Sequence, residues 1–176
     1  MTLKFFKTAA NLKTVQRQGW VKKLSITNPE SVADHSYSMA LMSMVISDSE
    51  HYNSEKVLKM VLLHDLAESE IGDFTPKQIK KEHKDRIENN AFNKIIQTLP
   101  DSLKLQYLQI WKEYQQGSSI ESKLVHQIDK LEMALQAKIY QKTGYPIEHL
   151  ESFFESAKRH ITDPKLKELF TKIVEE

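Results

Sequence analysis

Apolar residues recur every three or four positions along almost the whole chain, and alternating strand-like runs are scarce. That period gathers apolar side chains on one face of a helix, so the pattern predicts an all-α fold. Leu3, Phe6, Ala10 and Val15 form the first stripe, predicting a helix from Leu3 to Gln18 that Gly19 ends, with a loop from Trp20 to Glu30 after it. Ser31 and Asp34 have the spacing of a capping box, and a helix from Val32 to Ser49 follows. Its inward row is Val32, His35, Met39, Met42 and Ile46. A third helix starts at Asn53 or Ser54 and places Val57, Met60, Val61, His64 and Glu68 along one face. Thr75-Pro76 has the form of a helix start. The charged stretch Lys77 to Arg86 behind it reads as a solvated face or mobile segment. Ile87, Ala91, Ile95 and Leu99 carry that helix to Pro100.

Asp101-Ser102 caps the next helix, in which Leu105, Leu108, Trp111 and Tyr114 point inward, and Gly117-Ser118-Ser119 breaks it. A long helix covers Ile120 to Lys142 on the stripe Ile120, Leu124, Ile128, Leu131, Leu135 and Ile139, with Asp129 beside it. Gly144-Tyr145-Pro146 ends it, and two short helices split at Asp163-Pro164 complete the chain. No repeat or linker interrupts this order, so residues 1–176 read as one helical-bundle domain.

One stretch departs from ordinary helix chemistry. Val61-Leu62-Leu63 begins an apolar run, and His64-Asp65 then stands where Leu or Ala would continue it. Glu68 lies four residues after His64, about 40° round a continuous helix. Gly72 lets the chain turn, and Asp73 follows. Buried charge is costly unless it is paired or coordinates a metal, so this stretch is a candidate site.

Composition narrows the chemistry. The chain has no Cys, which excludes disulfides, thiolate metal sites and Cys nucleophiles. Any metal must be held by His and carboxylates. With 25 basic and 24 acidic residues, net charge is +1, and nothing calls for nucleic acid or an anionic membrane as a partner. No apolar run approaches the ~20 residues of a membrane span, and the first residues lack a signal-peptide core, so a soluble cytoplasmic protein is expected.

His35, His64, Asp65 and Asp129 come from three predicted helices, 29 and 65 residues apart from His35 to His64 and from His64 to Asp129. Helices crossing at a bundle core can bring such residues together. Two imidazoles and two carboxylates with room for water suit a divalent cation: Mn, Co, Fe, Mg or Zn. Adjacent residues on a helix point about 100° apart, so His64 and Asp65 can share an ion only at a helix face open to a cavity.

The order His35, His64-Asp65, Asp129 resembles the HD-domain metal-dependent phosphohydrolases. Pro29-Glu30-Ser31-Val32-Ala33-Asp34-His35-Ser36-Tyr37, His64-Asp65-Leu66-Ala67-Glu68, Gly72-Asp73 and Asp129-Lys130-Leu131-Glu132-Met133-Ala134-Leu135-Gln136-Ala137 are similar to the YfbR-like branch, whose characterised members are 5′-deoxynucleotidases. The resemblance spans about Arg17 to Ala137. It implies a nucleotide substrate, metal ligands at His35, His64, Asp65 and Asp129, and catalytic roles for Glu68 and Asp73 in orienting water and delivering a proton. It also implies a homodimer, for which Phe153, Phe154, Leu166, Leu169 and Phe170 could supply either an interface or the core of the last helices. The family places an Arg beside a Trp before the first His. Here Gly19 precedes Trp20, and the nearest Arg is Arg17. Arg17, Lys22 or Lys23 would neutralise the phosphate, and Trp20 is either a wall for base and sugar or a packing aromatic.

Alternatives in the same family are a phosphodiesterase and a nucleoside triphosphohydrolase. Outside it stands a non-catalytic helical module with a structural metal. The other histidines, His51, His83, His126, His149 and His160, sit among charges and read as solvated. Met39, Met42, Met44 and Met60 read as core filling.

Overall fold

The first helical pattern breaks earlier than its apolar spacing suggests. In the computed structural model, which describes residues 2–75 and 77–176, helix α1 (Thr2–Ala10) passes into a 3-10 turn at Asn11–Lys13, and a separate helix α2 covers Gln18–Leu24. Helix α1 buries none of its residues, and Leu3 and Phe6 are exposed. Gly19 does not end a helix. It lies inside α2, where a Cβ would meet the Phe153 ring at 3.3 Å. Trp20 is therefore helical and packed, not in a loop.

The chain around α2 is pinned at both ends. Val32 N–H donates to Val15 O at 2.8 Å and Arg17 N–H to Glu30 O at 3.2 Å, flanking an isolated bridge between Gln16 and Ser31. No strand occurs among the described residues, as the apolar period requires.

Helix α3 (Val32–Ser49) opens on the expected capping box: Ser31 Oγ accepts the Asp34 N–H, and Asp34 accepts the Ser31 N–H. Helix α4 (Ser54–His64) starts from Asn53 as cap. It does not continue to Glu68. Asp65, at φ −109° and ψ 12°, leaves the helical path, and Glu68 begins a short new helix, α5 (Glu68–Ile71). Gly72, at φ 79°, then turns the chain out, as expected of its position.

The expected helix start at Thr75-Pro76 is not where the next helix begins. Pro76 lies outside the described residues. The Thr75 N–H and hydroxyl both donate to Gln78 Oε1, making a turn, and α6 (Lys81–Ile96) starts later. Helix α7 (Asp101–Gln116) has Pro100 at its cap and no side-chain capping bond. It buries Ile110 and Trp111 and leaves Leu105 exposed, contrary to the expected stripe.

Helix α8 (Ile120–Lys142) runs through the centre and packs against α3, α4, α7 and the C-terminal helices α9 (Ile147–His160) and α10 (Pro164–Glu175). Neighbours on several sides widen its buried band to include Val125, Ala134 and Ala137, while Ile120 and Ile139 emerge into solvent at its ends. Phe92 stacks on Trp111 in the main core, with ring centroids 4.2 Å apart. Met39 and Met60 fill that core, Met42 is half-buried and Met44 is exposed.

A smaller cluster joins Trp20, Leu24 and Ile26 to Ala137 and Leu150. Phe153 packs on Trp20 at 4.1 Å between centroids, Leu166 is buried, and Phe154 and Phe170 lie against the main core. Of the five C-terminal apolar residues, only Leu169 is exposed.

The capping box sets the first turn of α3, on which His35 stands. Ser31→Ala removes the acceptor for the Asp34 N–H and should cost about 1 kcal/mol in urea denaturation. A loss below a few tenths of a kcal/mol would show that packing alone fixes the start of α3.

Candidate metal centre

Helices α3, α4 and α8 meet where their polar residues interrupt the apolar faces. His35 is fully buried in the first turn of α3, His64 is the buried last residue of α4, and Asp129 comes from the middle of α8. One donor atom from each lies within 4.8 Å of the other two. His35 Nε2 is 3.3 Å from Asp129 Oδ1, and His64 Nε2 is 3.0 Å from Asp65 Oδ2. Neighbouring ligands about 2.1 Å from one ion are about 3 Å apart when they subtend a right angle. Both Nε2 atoms are buried and have no hydrogen-bond partner among the described residues. Unpartnered, converging imidazole nitrogens beside carboxylates are a donor set that a divalent cation satisfies, so the residues fit the group.

The helix break at His64 answers the geometric objection from sequence. On a continuous helix Asp65 would point about 100° away from His64. Leaving the helix at Asp65 turns its carboxylate back across the His64 ring. Asp65 still lies outside the mutually close trio, and its Oδ2 is also 3.3 Å from Arg17 Nη1.

Partners on the far side of each ring settle which nitrogen faces the centre. His64 Nδ1–H donates to Val61 O at 2.6 Å, since a carbonyl can only accept. His35 Nδ1 lies 2.6 Å from Glu132 Oε2. Burial and the Arg17 charge disfavour the His35 cation. Asp129 and Glu132 outweigh them and raise the pKa of the ring to about 9.

Arg17 is the cation of the site. Burial works against its charge, but the carboxylates of Asp65, Asp129, Asp73 and Glu68 outweigh that cost and lock the guanidinium ionised. Asp65 is likewise opposed by burial, yet the His64 ring and Arg17 hold it well below the usual carboxylate range. In Asp129 burial is outweighed by Lys130, whose Nζ is 2.7 Å from Oδ2, and by His35.

Glu68 is 2% exposed and its Oε2 has no hydrogen-bond partner among the described residues. Burial, then the Asp65 and Asp73 charges, raise its pKa well above the ordinary carboxylate value. Lys84 Nζ stands 3.6 Å from Glu68 Oε1 and 3.2 Å from Glu88 Oε1. Lys84 falls in the stretch expected to be solvated or mobile, and its role escaped the sequence because charge density there masks one inward lysine. Asp73 Oδ2 accepts the Gln18 N–H at 2.7 Å, so it caps α2 from outside and ties the start of α2, next to Arg17, to the turn after Gly72.

The remaining sequence candidates lie apart. Trp20 is 2% exposed and donates Nε1–H to Glu30 Oε1 at 2.7 Å, so its surroundings are those of a packed aromatic. Lys22 and Lys23 are exposed on α2, without an ion-pair partner among the described residues. His126 is not solvated as expected: its ring stacks on Tyr114 at 4.2 Å and its Nε2 lies 2.8 Å from Tyr114 O. Tyr114 in turn meets His64 edge-on at 5.7 Å. Glu30 and Glu132 were not singled out, although Glu132 stands one helical turn after Asp129, which was the available signal.

Three helices that bring His35, His64 and Asp129 together, with Asp65 following His64, define a class. The HD-domain family model matches residues 9–170, and the chain belongs to that family. It is 38% identical over 172 residues to the human protein named 5′-deoxynucleotidase HDDC2, covering 97% of this chain and 83% of that one. It is 40% identical over 178 residues to the Dictyostelium discoideum protein of the same name, covering 95% and 93%. Among solved structures, a Pyrococcus horikoshii protein superimposes with a TM-score of 0.79 at 31% identity, covering 98% of each chain.

His64→Ala and Asp129→Ala should each abolish tight binding of Mn²⁺ or Co²⁺ measured by calorimetry. Chelation should lower the melting temperature of the parent protein, because an ion that binds only the folded state stabilises it by mass action. Unchanged affinity in His64→Ala would remove His64 from the ligand set.

Proposed function

We propose that this chain is a divalent-metal-dependent phosphohydrolase that releases phosphate from deoxyribonucleoside 5′-monophosphates. The observation that carries the reading is the pair of unpartnered, buried Nε2 atoms of His35 and His64 beside Asp129 and Asp65. The names of relatives at 38% and 40% identity over nearly the whole chain support the substrate class.

His35, His64, Asp65 and Asp129 would hold the cation, which when bound supplies an activated water at neutral pH and charge neutralisation for a phosphoryl oxygen. The donor set suits Mn, Co, Fe, Mg or Zn. Arg17 presents a planar fork at the centre and is assigned to the phosphate, in exchange for part of its contact with Asp65. Glu68, with one carboxyl oxygen free, and Asp73, fixed by the Gln18 N–H, are assigned to orienting water and protonating the leaving oxygen. Lys84 balances Glu68 from behind. Trp20 acts through Glu30 and the packing of α2, and Lys22 is left as a contact for the outer part of the substrate.

The 176 residues are read as one domain working as a homodimer in the cytoplasm. Among the described residues no helix is long and apolar enough to cross a membrane. At the C-terminal face Leu166 is buried, Phe153, Phe154 and Phe170 are half-buried and Leu169 is exposed, which leaves apolar surface for such a contact. Light scattering at micromolar concentration tests the assembly, and a monomer there removes it.

A panel of deoxynucleoside and ribonucleoside monophosphates, cyclic nucleotides and triphosphates, assayed with each of the five metals, tests the activity. Phosphate release from deoxynucleoside monophosphates is expected to exceed that from the others. A metal-loaded protein inactive on the whole panel would leave the structural-metal reading. Glu68→Ala and Asp73→Asn should keep the ion and lose about 10²- to 10⁴-fold in kcat, with smaller changes in KM. Asn at 73 can still accept the Gln18 N–H, so loss of turnover there would not come from loss of the cap. Full activity in both variants would end their catalytic assignment.

A further inference from the structure

Behind His35, on the side away from the candidate centre, lies a second group of polar side chains in the interior. One carboxyl oxygen each from Glu30 and Glu132 and a ring nitrogen of His35 fall within 4.8 Å of one another. Glu132 is 2% exposed, and its Oε2 stands 2.6 Å from His35 Nδ1. Glu30 is held from three directions. Its Oε1 accepts Trp20 Nε1–H at 2.7 Å, its N–H donates to Tyr140 Oη at 3.0 Å, and its carbonyl accepts the Arg17 N–H at 3.2 Å. Arg17 Nε also lies 4.0 Å from Glu30 Oε1, while Nη1 reaches Asp65.

We propose that Glu132 is a positioning residue for the metal centre: it accepts Nδ1–H of His35 and so commits the Nε2 lone pair to the ion. Glu30 completes the unit by fixing Trp20 and the base of Arg17 beside it. The proposal rests on His35 being a metal ligand. A neutral imidazole has one donor nitrogen and one acceptor nitrogen, and a buried carboxylate can only accept. Glu132 therefore decides which tautomer His35 adopts when its other nitrogen binds metal. A carboxylate behind the ring also makes the imidazole a stronger donor to the ion. His64 has a backbone carbonyl in the same place, so its tautomer is set by the fold of α4 itself. His35 alone depends on a replaceable side chain, one helical turn from Asp129.

The test uses metal alone, without substrate. Glu132→Met removes the acceptor with similar bulk, and Glu132→Gln keeps an acceptor without the charge. Mn²⁺ and Co²⁺ affinity, measured by calorimetry on the full chain, should fall about 10- to 100-fold in Glu132→Met and less in Glu132→Gln. The exchangeable Nδ1 proton of His35, followed by NMR in the Zn²⁺-loaded protein, should be strongly downfield in the parent and move upfield in Glu132→Gln. A residue that merely fills space would not move that proton. If Glu132→Met does not fold, Glu132→Gln carries both readouts alone.

Parent-like affinity and an unmoved proton in Glu132→Gln would overturn the proposal. So would a parent that binds two ions and a Glu132→Gln variant that binds one, which would make Glu132 a ligand. A parent that binds no divalent ion would overturn the metal reading, and this inference with it.

Discussion

The structure depends on placing several carboxylates in one interior without letting them repel it apart. Asp65, Asp129, Glu68 and Asp73 all act on one guanidinium, that of Arg17. Removing such charges from water costs several kcal/mol per ion unless partners compensate. The chain supplies cations from three separate elements: Arg17 before α2, Lys84 on α6 and Lys130 on α8. A divalent ion would add the largest positive charge of all. Helix α8 carries a proposed ligand and a compensating charge in consecutive residues, Asp129 and Lys130.

The same constraint explains the one irregular place in the central helices. An uninterrupted α4 would have pointed His64 and Asp65 in different directions and carried Glu68 on a continuous face. Ending the helix at His64 gives up regular hydrogen bonds over three residues. In return it turns Asp65 back to the His64 ring and starts Glu68 from a new direction. The apolar run before His64 fixes the approach, and Gly72 fixes the exit.

Long elements were legible in the sequence. The limits of the helices at 32–49 and 120–142 follow from the Ser31 capping box, the break at Gly117-Ser118-Ser119 and sustained period, because each signal is local and several agree. The four proposed ligands were legible because their side chains are out of place on apolar faces. What escaped depends on contacts between distant segments. Gly19 resembles a helix terminator, and only Phe153 shows that it is a packing position. Lys84 is one of many charges in its stretch until Glu68 is seen beside it. Leu105, Ile120 and Ile139 fit a helical stripe, yet the neighbours of α7 and α8 end before covering them. Arg17 stands three residues before Trp20 instead of beside it, and its reach to Asp65 arises from the turn before α2, which periodicity does not describe.

That turn and its counterpart at Glu30 have a consequence for how such a protein can vary. The Val15–Val32 and Arg17–Glu30 backbone bonds close the intervening segment into a loop whose ends are fixed before its middle is specified. Closure entropy grows slowly with length, about 0.6 kcal/mol for each doubling. Residues on its outer side, such as Lys22, Lys23, Thr27 and Asn28, are exposed, while Trp20, Leu24 and Ile26 anchor its inner side. The outer half can therefore be lengthened or rewritten at little thermodynamic penalty while the gate posts, Arg17 and Glu30, stay where they are. Variation of the exposed face and retention of the two bonded ends are thereby physically separable within one short stretch of chain.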